Sequence, residues 1–225
     1  MTRIDHLLVS VTDLDASMRR WADAGLPAQA GGAHPGGTFN ALVRGPQRAY
    51  VELISAHDDA TTPAGRRVLS SPGPLSWALG VDDVAAVRQA LVDHGRTPGP
   101  IQDGSRTTLG GETLTWQLCD VADHAMHEFV PFLIEWTHGM EPGPQTGPRL
   151  TSVTLEVPDP VGLGQLLQVC GLTVSDEAPG DVGLTDGVVD VVLRRGTGRL
   201  TEASITLPEG PLGDVVLDGL VIRRG

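Results

Sequence analysis

The stretch IDHLLVSVTDLDASMRRWADAGL, Ile4–Leu26, decides the fold because its pattern returns twice further along the chain. LSWALGVDDVAAVRQALVDHGR, Leu75–Arg96, carries Val81, Asp83 and Gly95, each 70 positions after Val11, Asp13 and Gly25. LTSVTLEVPDPVGLGQLLQVCGL, Leu150–Leu172, carries Val157, Asp159 and Gly171, each 146 positions after the same anchors. Fixed spacing with no insertions marks an internal structural repeat.

Each anchor has a physical job. The aspartates can accept hydrogen bonds from unpaired amides at the start of a helix, where the positive end of the dipole also favours an acid. Leu14, Met18 and Trp21, then Val84, Val87, Ala90 and Leu91, recur at helical spacing and predict one buried stripe per helix. The glycines suit a left-handed C-terminal cap, which a Cβ disfavours.

After each helix the pattern changes to short β-like runs. Unit one has them around Asn40–Val43 and Ala49–Ser55. Unit two has Thr107–Leu109, a Gly110-Gly111 hairpin turn, Glu112–Leu118 and Phe129–Trp136. Unit three continues through Val188–Leu193, and LTEASITLP (Leu200–Pro208) mirrors LTSVTLEVP (Leu150–Pro158) as the start of a fourth, truncated copy without its helix. The Pro/Gly-rich segment His138–Arg149 is the best linker. These runs predict an α+β chain of tandem βαβββ units. A paired domain spans 1–138 (units 1–58 and 74–138), and a smaller β-rich part with the third unit and truncated fourth spans 149–225.

Composition limits the functions open to it. A formal charge of −12 disfavours nucleic acid and anionic membranes as partners. Mean hydropathy is near zero, and no apolar run approaches the roughly 18 residues of a membrane span. MTRIDHLLVSV runs directly into strand-like alternation without a signal region, so a cytoplasmic location is expected. Cys119 and Cys170 lack ligand spacing and read as free, buried thiols.

Four motifs then carry a resemblance: IDHL (4–7), GGAHPGGTFN (31–40), YVELI (50–54) and PFLIEW (131–136). Repeated βαβββ units with a His on the first strand and a Glu on the last resemble the vicinal-oxygen-chelate superfamily. The four motifs together resemble its glyoxalase-like group, although Gly36-Gly37-Thr38 lacks a residue usual between the glycines. The resemblance implies curved mixed sheets around a cavity that holds a small-molecule ligand or substrate, and a divalent metal between two units. No nucleotide cofactor is expected, and a homo-oligomer is compatible with the fold.

The candidate site follows from strand alternation. His6 shares a face with Ile4, Leu8 and Ser10, and Glu52 shares one with Tyr50 and Ile54. An imidazole and a carboxylate are two positions of a facial triad for a divalent ion; without a metal they would bond each other or water. The resemblance implies His6, Glu52 and Glu135 as metal ligands, with Glu52 and Glu135 as proton-moving residues, and His34, at a pocket rim in the glycine-rich loop, is expected as a catalytic base or substrate contact. Glu135 matches Glu52 only if Leu133-Ile134-Glu135 is set against Tyr50-Val51-Glu52; matching the Leu-Ile pairs puts Phe132 there instead, and a one-residue slip reverses the face. Ser76, 70 positions after His6, is a poor ligand where a second histidine is expected. Asn40, Tyr50, Ser76, Arg106 and Trp116 are the expected pocket residues. Trp77, opposite in parity to Ser76, reads as core. His124 and His127 could approach a cavity mouth, whereas His57, His94 and His138 read as surface or turn residues.

Two functions of different class fit these residues. One is an enzyme of lyase, isomerase or dioxygenase type acting on a small oxygen-rich metabolite. The other is a metal-free protein that binds or sequesters a small molecule, for which Ser76 speaks.

Overall fold

Asp13, Asp83 and Asp159 each cap a helix, their carboxylates accepting from the backbone amides of Ala16 (2.9 Å), Ala86 (2.8 Å) and Gly162 (3.1 Å). Gly25, Gly95 and Gly171 follow those helices with φ of 81°, 71° and 103°, the left-handed conformation their position requires. The computed structural model describes residues 1–121, 129–138, 142–175, 180–207 and 213–225. His124 and His127 lie outside the described residues.

Unit one comprises β1 (Arg3–Ser10), α1 (Leu14–Asp23), β2 (Gln29–Ala33), β3 (Thr38–Arg44) and β4 (Tyr50–Ala56), followed by α2 (Pro63–Ser70). Unit two comprises β5 (Gly73–Gly80), α3 (Val84–Asp93), β6 (Gln102–Thr108), β7 (Thr113–Asp120) and β8 (Phe132–Trp136). Unit three has β9 (Arg149–Val157), α4 (Pro160–Val169), β10 (Thr173–Ser175), β11 (Val182–Thr185) and β12 (Asp190–Arg195). The truncated copy contributes β13 (Arg199–Thr206), β14 (Gly213–Leu217) and β15 (Leu220–Arg224).

In each full unit the first and last strands run parallel and the intervening strands are antiparallel. The truncated copy keeps this rule, since β13 pairs parallel with β15, but only residues 207–212 separate β13 from β14, against 11–28 between β1 and β2. Units one and two join through antiparallel β1–β5 and through a short β2–β6 contact, closing a barrel in the order β1-β4-β3-β2-β6-β7-β8-β5. The remaining strands form a seven-stranded sheet, β10-β11-β12-β9-β13-β15-β14.

Strand alternation sends side chains to two distinct cores. Leu7, Val9, Trp77, Leu79 and Leu133 face outward onto the helices, in one apolar cluster that continues through Leu155, Leu167 and Leu193 of the second sheet. Leu8, Ile54, Ala78, Trp116, Phe132 and Ile134 face into the barrel. Val68 of α2 joins them while its carbonyl accepts from Ser10 Oγ, so α2 plugs the end of the barrel where β1 and β4 finish. The opposite end stays open. Among the described residues no helix is long and apolar enough to cross a membrane.

The second sheet is tied to the first unit by polar contacts. Asp218, in the β14–β15 turn with φ of 46°, accepts from the fully buried Trp21 indole at 2.8 Å and pairs with Arg20. Replacing Asp218 with Ala leaves a buried indole N–H unsatisfied, so a loss of about 1–3 kcal/mol is expected in urea unfolding. Wild-type stability in that variant contradicts the assignment of Asp218 as the latch.

Candidate functional site

The open end of the barrel leads to a chain of polar side chains that crosses its interior. The chain starts at an irregularity in β1: Ile4 pairs with Leu79 and His6 with Ala78, which leaves Asp5 without a partner across the β1–β5 ladder. A bulge of this kind re-aims the side chains around it. Ile4 therefore belongs to the outer cluster, correcting the expectation that it shares a face with His6. Asp5 instead lies against His6, with its Oδ1 2.7 Å from Nδ1 of the imidazole.

Both groups are buried, and the remaining partners of Asp5 are donors. Trp136 Nε1 donates to its Oδ2 at 3.2 Å, and the Arg3 guanidinium stands 3.8 Å away. A carboxylate can only accept, so the Nδ1–H of His6 is directed at Asp5 and Nε2 is turned into the barrel. There Nε2 meets Glu52 Oε2 at 3.6 Å. The other Glu52 oxygen accepts from Asn40 Nδ2 at 2.8 Å, and Asn40 Oδ1 accepts from Arg106 Nη1 at 3.1 Å.

Aromatic rings wall this chain. Tyr50 stacks on His6 at 5.0 Å and Phe132 meets it edge-on at 5.7 Å. Burial, and then the neighbouring carboxylates of Asp5 and Glu52, push the Tyr50 phenol well above its usual pKa, which keeps it neutral. Trp116 and Trp136 contact each other at 4.9 Å; Gly104 lies beneath Trp116, where any Cβ would come within 2.2 Å of the indole nitrogen. At the mouth, a cavity of ≈ 510 Å³ is lined by Gly31, Leu42, Arg44, Arg106, Leu114 and Trp136 among others.

His34 sits beside this site in the β2–β3 turn. Its Nδ1 is 2.9 Å from the Thr38 hydroxyl and its ring meets Trp116 edge-on at 5.9 Å. Burial lowers its pKa; Glu52 opposes that shift, and the charge of Arg106 adds to it. Ser76 is fully buried on the barrel-facing side of β5, opposite Leu8.

Glu135 is a correction. The parallel register sets Leu8 against Glu52 in unit one and Ala78 against Phe132 in unit two, so Phe132 occupies the place of Glu52. Glu135 is therefore on the outer face, where its Oε2 accepts from the Val84 amide at 2.8 Å at the start of α3. It caps a helix and cannot act in the barrel. His57, His94 and His138 are exposed, as expected.

This donor set does not fit the metal that the resemblance implies. Of the four positions related by the repeat, His6 and Glu52 offer ligands, whereas Ser76 and Phe132 offer a neutral hydroxyl and a hydrocarbon ring. Among the described residues no three His, Cys, Asp or Glu side chains converge as a metal site would require. Both cysteines are free and buried, and burial pushes the Cys170 thiol up to about 12, far from the thiolate needed for ligation.

Comparison with known proteins places this geometry in context. A family profile described as a glyoxalase-like domain matches residues 4–169. No protein of curated function matches the sequence. Among solved structures the chain is similar to a hypothetical protein from Staphylococcus aureus (TM-score 0.80, 16% identity, 100% of this chain and 99% of that one). It is also similar to the Mn(II)-bound glyoxalase from Novosphingobium aromaticivorans (TM-score 0.65, 13% identity, 100% and 82% coverage). A mutant 4-hydroxymandelate synthase from Streptomyces coelicolor follows (TM-score 0.54, 14% identity, 92% and 71% coverage). At such identities the likeness establishes the fold alone.

The environment of His34 yields a pH prediction. Its folded pKa lies below the unfolded value of about 6.5, so the unfolded chain binds the extra proton. This contribution to stability is complete above that value and is lost as the pH falls below it toward the folded pKa. Melting temperatures followed downward from about pH 7 should fall less in His34→Gln than in wild type. Identical pH slopes contradict the assignment.

Proposed function

The chain belongs to the glyoxalase-like domain family of the vicinal-oxygen-chelate superfamily, and on that premise we propose that it is an acid–base enzyme acting on a small oxygen-rich metabolite inside the barrel. The observation that carries the reading is the Asp5–His6···Glu52 relay, buried among aromatic rings and linked through Asn40 to Arg106, which lines the cavity. Asp5 holds the His6 tautomer, leaving Nε2 as a base whose position is fixed by Tyr50 and Phe132. Glu52 is the second proton-carrying group, and its Oε1 is oriented by Asn40. A carbon acid lying across Nε2 and a protonated Glu52 Oε2 loses its proton to Nε2 and regains one from Oε2, after which the proton on Nε2 returns across the 3.6 Å gap to Oε2. That is isomerase chemistry, carried by the two side chains themselves.

His34 has a supporting place in this reading as a neutral imidazole at the rim, and Trp116 as the ring that holds it. Ser76 and Phe132 form the unreactive wall facing the relay. A purely binding role is the second reading, favoured by Ser76 and Phe132 at the two repeat-related positions that would otherwise carry a His and a Glu.

Solvent-proton exchange into a panel of small oxygenated acids, aldehydes and ketones, followed by NMR in deuterium oxide, tests the proposal. The wild type should exchange protons into at least one member and continue after treatment with a chelator. Conservative His6→Gln and Glu52→Gln variants should each lose about 10²–10⁴-fold of that rate. Saturable binding without exchange in the wild type, or undiminished exchange in both variants, refutes the acid–base reading.

A further inference from the structure

Arg106 is the most unusual charge in the barrel. Its residue is only 4% exposed, yet it forms no ion pair among the described residues and makes one hydrogen bond, through Nη1 to Asn40. Its Nε is buried with no partner among the described residues. A guanidinium removed from water and left with open donors is costly, and buried charges are ordinarily paired. Glu52, the nearest acid along the polar chain, is separated from Arg106 by the Asn40 amide, and the other acid at the cavity, Glu112, is exposed.

The surroundings keep space for this guanidinium. Gly31 lines the same cavity, and a Cβ there would come 2.6 Å from Arg106 Nη1 and 2.2 Å from Asn40 Oδ1. Arg44 also lines the cavity, adding a second positive side chain near the mouth. A planar fork with open N–H groups matches a carboxylate, which can accept two parallel hydrogen bonds. The single negative charge of a carboxylate balances the buried Arg106 guanidinium.

We propose that Arg106 is the anion anchor of the barrel and that its ligand is a small monocarboxylic acid. The substrate class rests on the acid–base reading above: the Asn40 amide bridges Arg106 to Glu52, so the carbon beside an anchored carboxylate falls alongside that amide, toward the His6–Glu52 pair. The anion anchor itself rests only on the guanidinium and its cavity. It is a binding role, distinct from proton transfer.

Calorimetric titration and thermal shift with 2-oxobutanoate and 2-hydroxybutanoate, their neutral methyl esters and propyl phosphate test the proposal. The acids should bind the wild type and raise its melting temperature, with the esters and the phosphate at least about tenfold weaker. Arg106→Met should lose acid affinity by at least about tenfold while the ligand-free variant melts at or above the wild-type temperature, because an unpaired buried charge has been removed. If Arg106→Met does not fold, Arg106→Lys, which keeps the charge and loses the fork, should still weaken acid binding by about tenfold. Acid binding that depends on Arg106 without any proton exchange leaves the anchor standing and removes the acid–base reading. The anchor is overturned if neither acid binds the wild type, if esters or phosphate bind as tightly as the acids, or if the folded Arg106 variant binds acids unchanged.

Discussion

Strand β1 is hydrogen-bonded on both sides, parallel to β4 and antiparallel to β5, and the rest of the barrel depends on that double pairing. It joins unit one to unit two and makes β1 the seam of a closed sheet with no free edge there. The bulge at Asp5 interrupts the seam at one place. Without it, alternation would send Asp5 to the outer face and leave His6 with no acid behind it. The same irregularity that moves Ile4 into the outer core therefore brings a carboxylate onto His6, so packing and chemistry share one cause.

Asymmetry between the repeats shapes what the barrel can do. His6 and Glu52 face Ser76 and Phe132 across positions that the repeat makes equivalent, so one half of the interior is polar and the other is smooth. A symmetric set of His and Glu would surround an ion; this set offers two ligands and an aromatic wall. The polar half is extended in another direction, through Asn40 to Arg106, which turns the site from chelation toward hydrogen bonding and charge pairing. Glu135, released from the barrel by the register of β8, serves the start of α3.

Much of the architecture was legible because its signals are local. The Asp caps and terminal glycines depend on residues within one turn of each helix, and the fourth copy announced itself through LTEASITLP. β2, with sequence QAGGA, has no apolar alternation, and α2 is an eight-residue helix too short for a convincing period; both went unread. Part of the candidate site was equally legible, since His6, Glu52 and Tyr50 follow from the parity of β1 and β4, and Asn40 from its place in the glycine-rich motif. Asp5 was hidden because a bulge leaves no mark on alternation, although an acid directly before a histidine was a usable hint. Glu135 depended on a one-residue choice of register that the residue pattern left open and that the β5–β8 pairing resolves in favour of Phe132. Arg106 could be named from its motif position, but its unpaired burial arises only when β6 closes against β2, a contact between distant parts of the chain.

The account turns on the proton that Asp5 assigns to His6. Long-range ¹H–¹⁵N NMR of ring-labelled histidine, with His6 identified by its absence in His6→Gln, reads that proton directly. The predicted result is a ring that keeps its proton on Nδ1 with a bare Nε2, a signature that is lost in Asp5→Asn. A His6 ring carrying its proton on Nε2 would contradict the account.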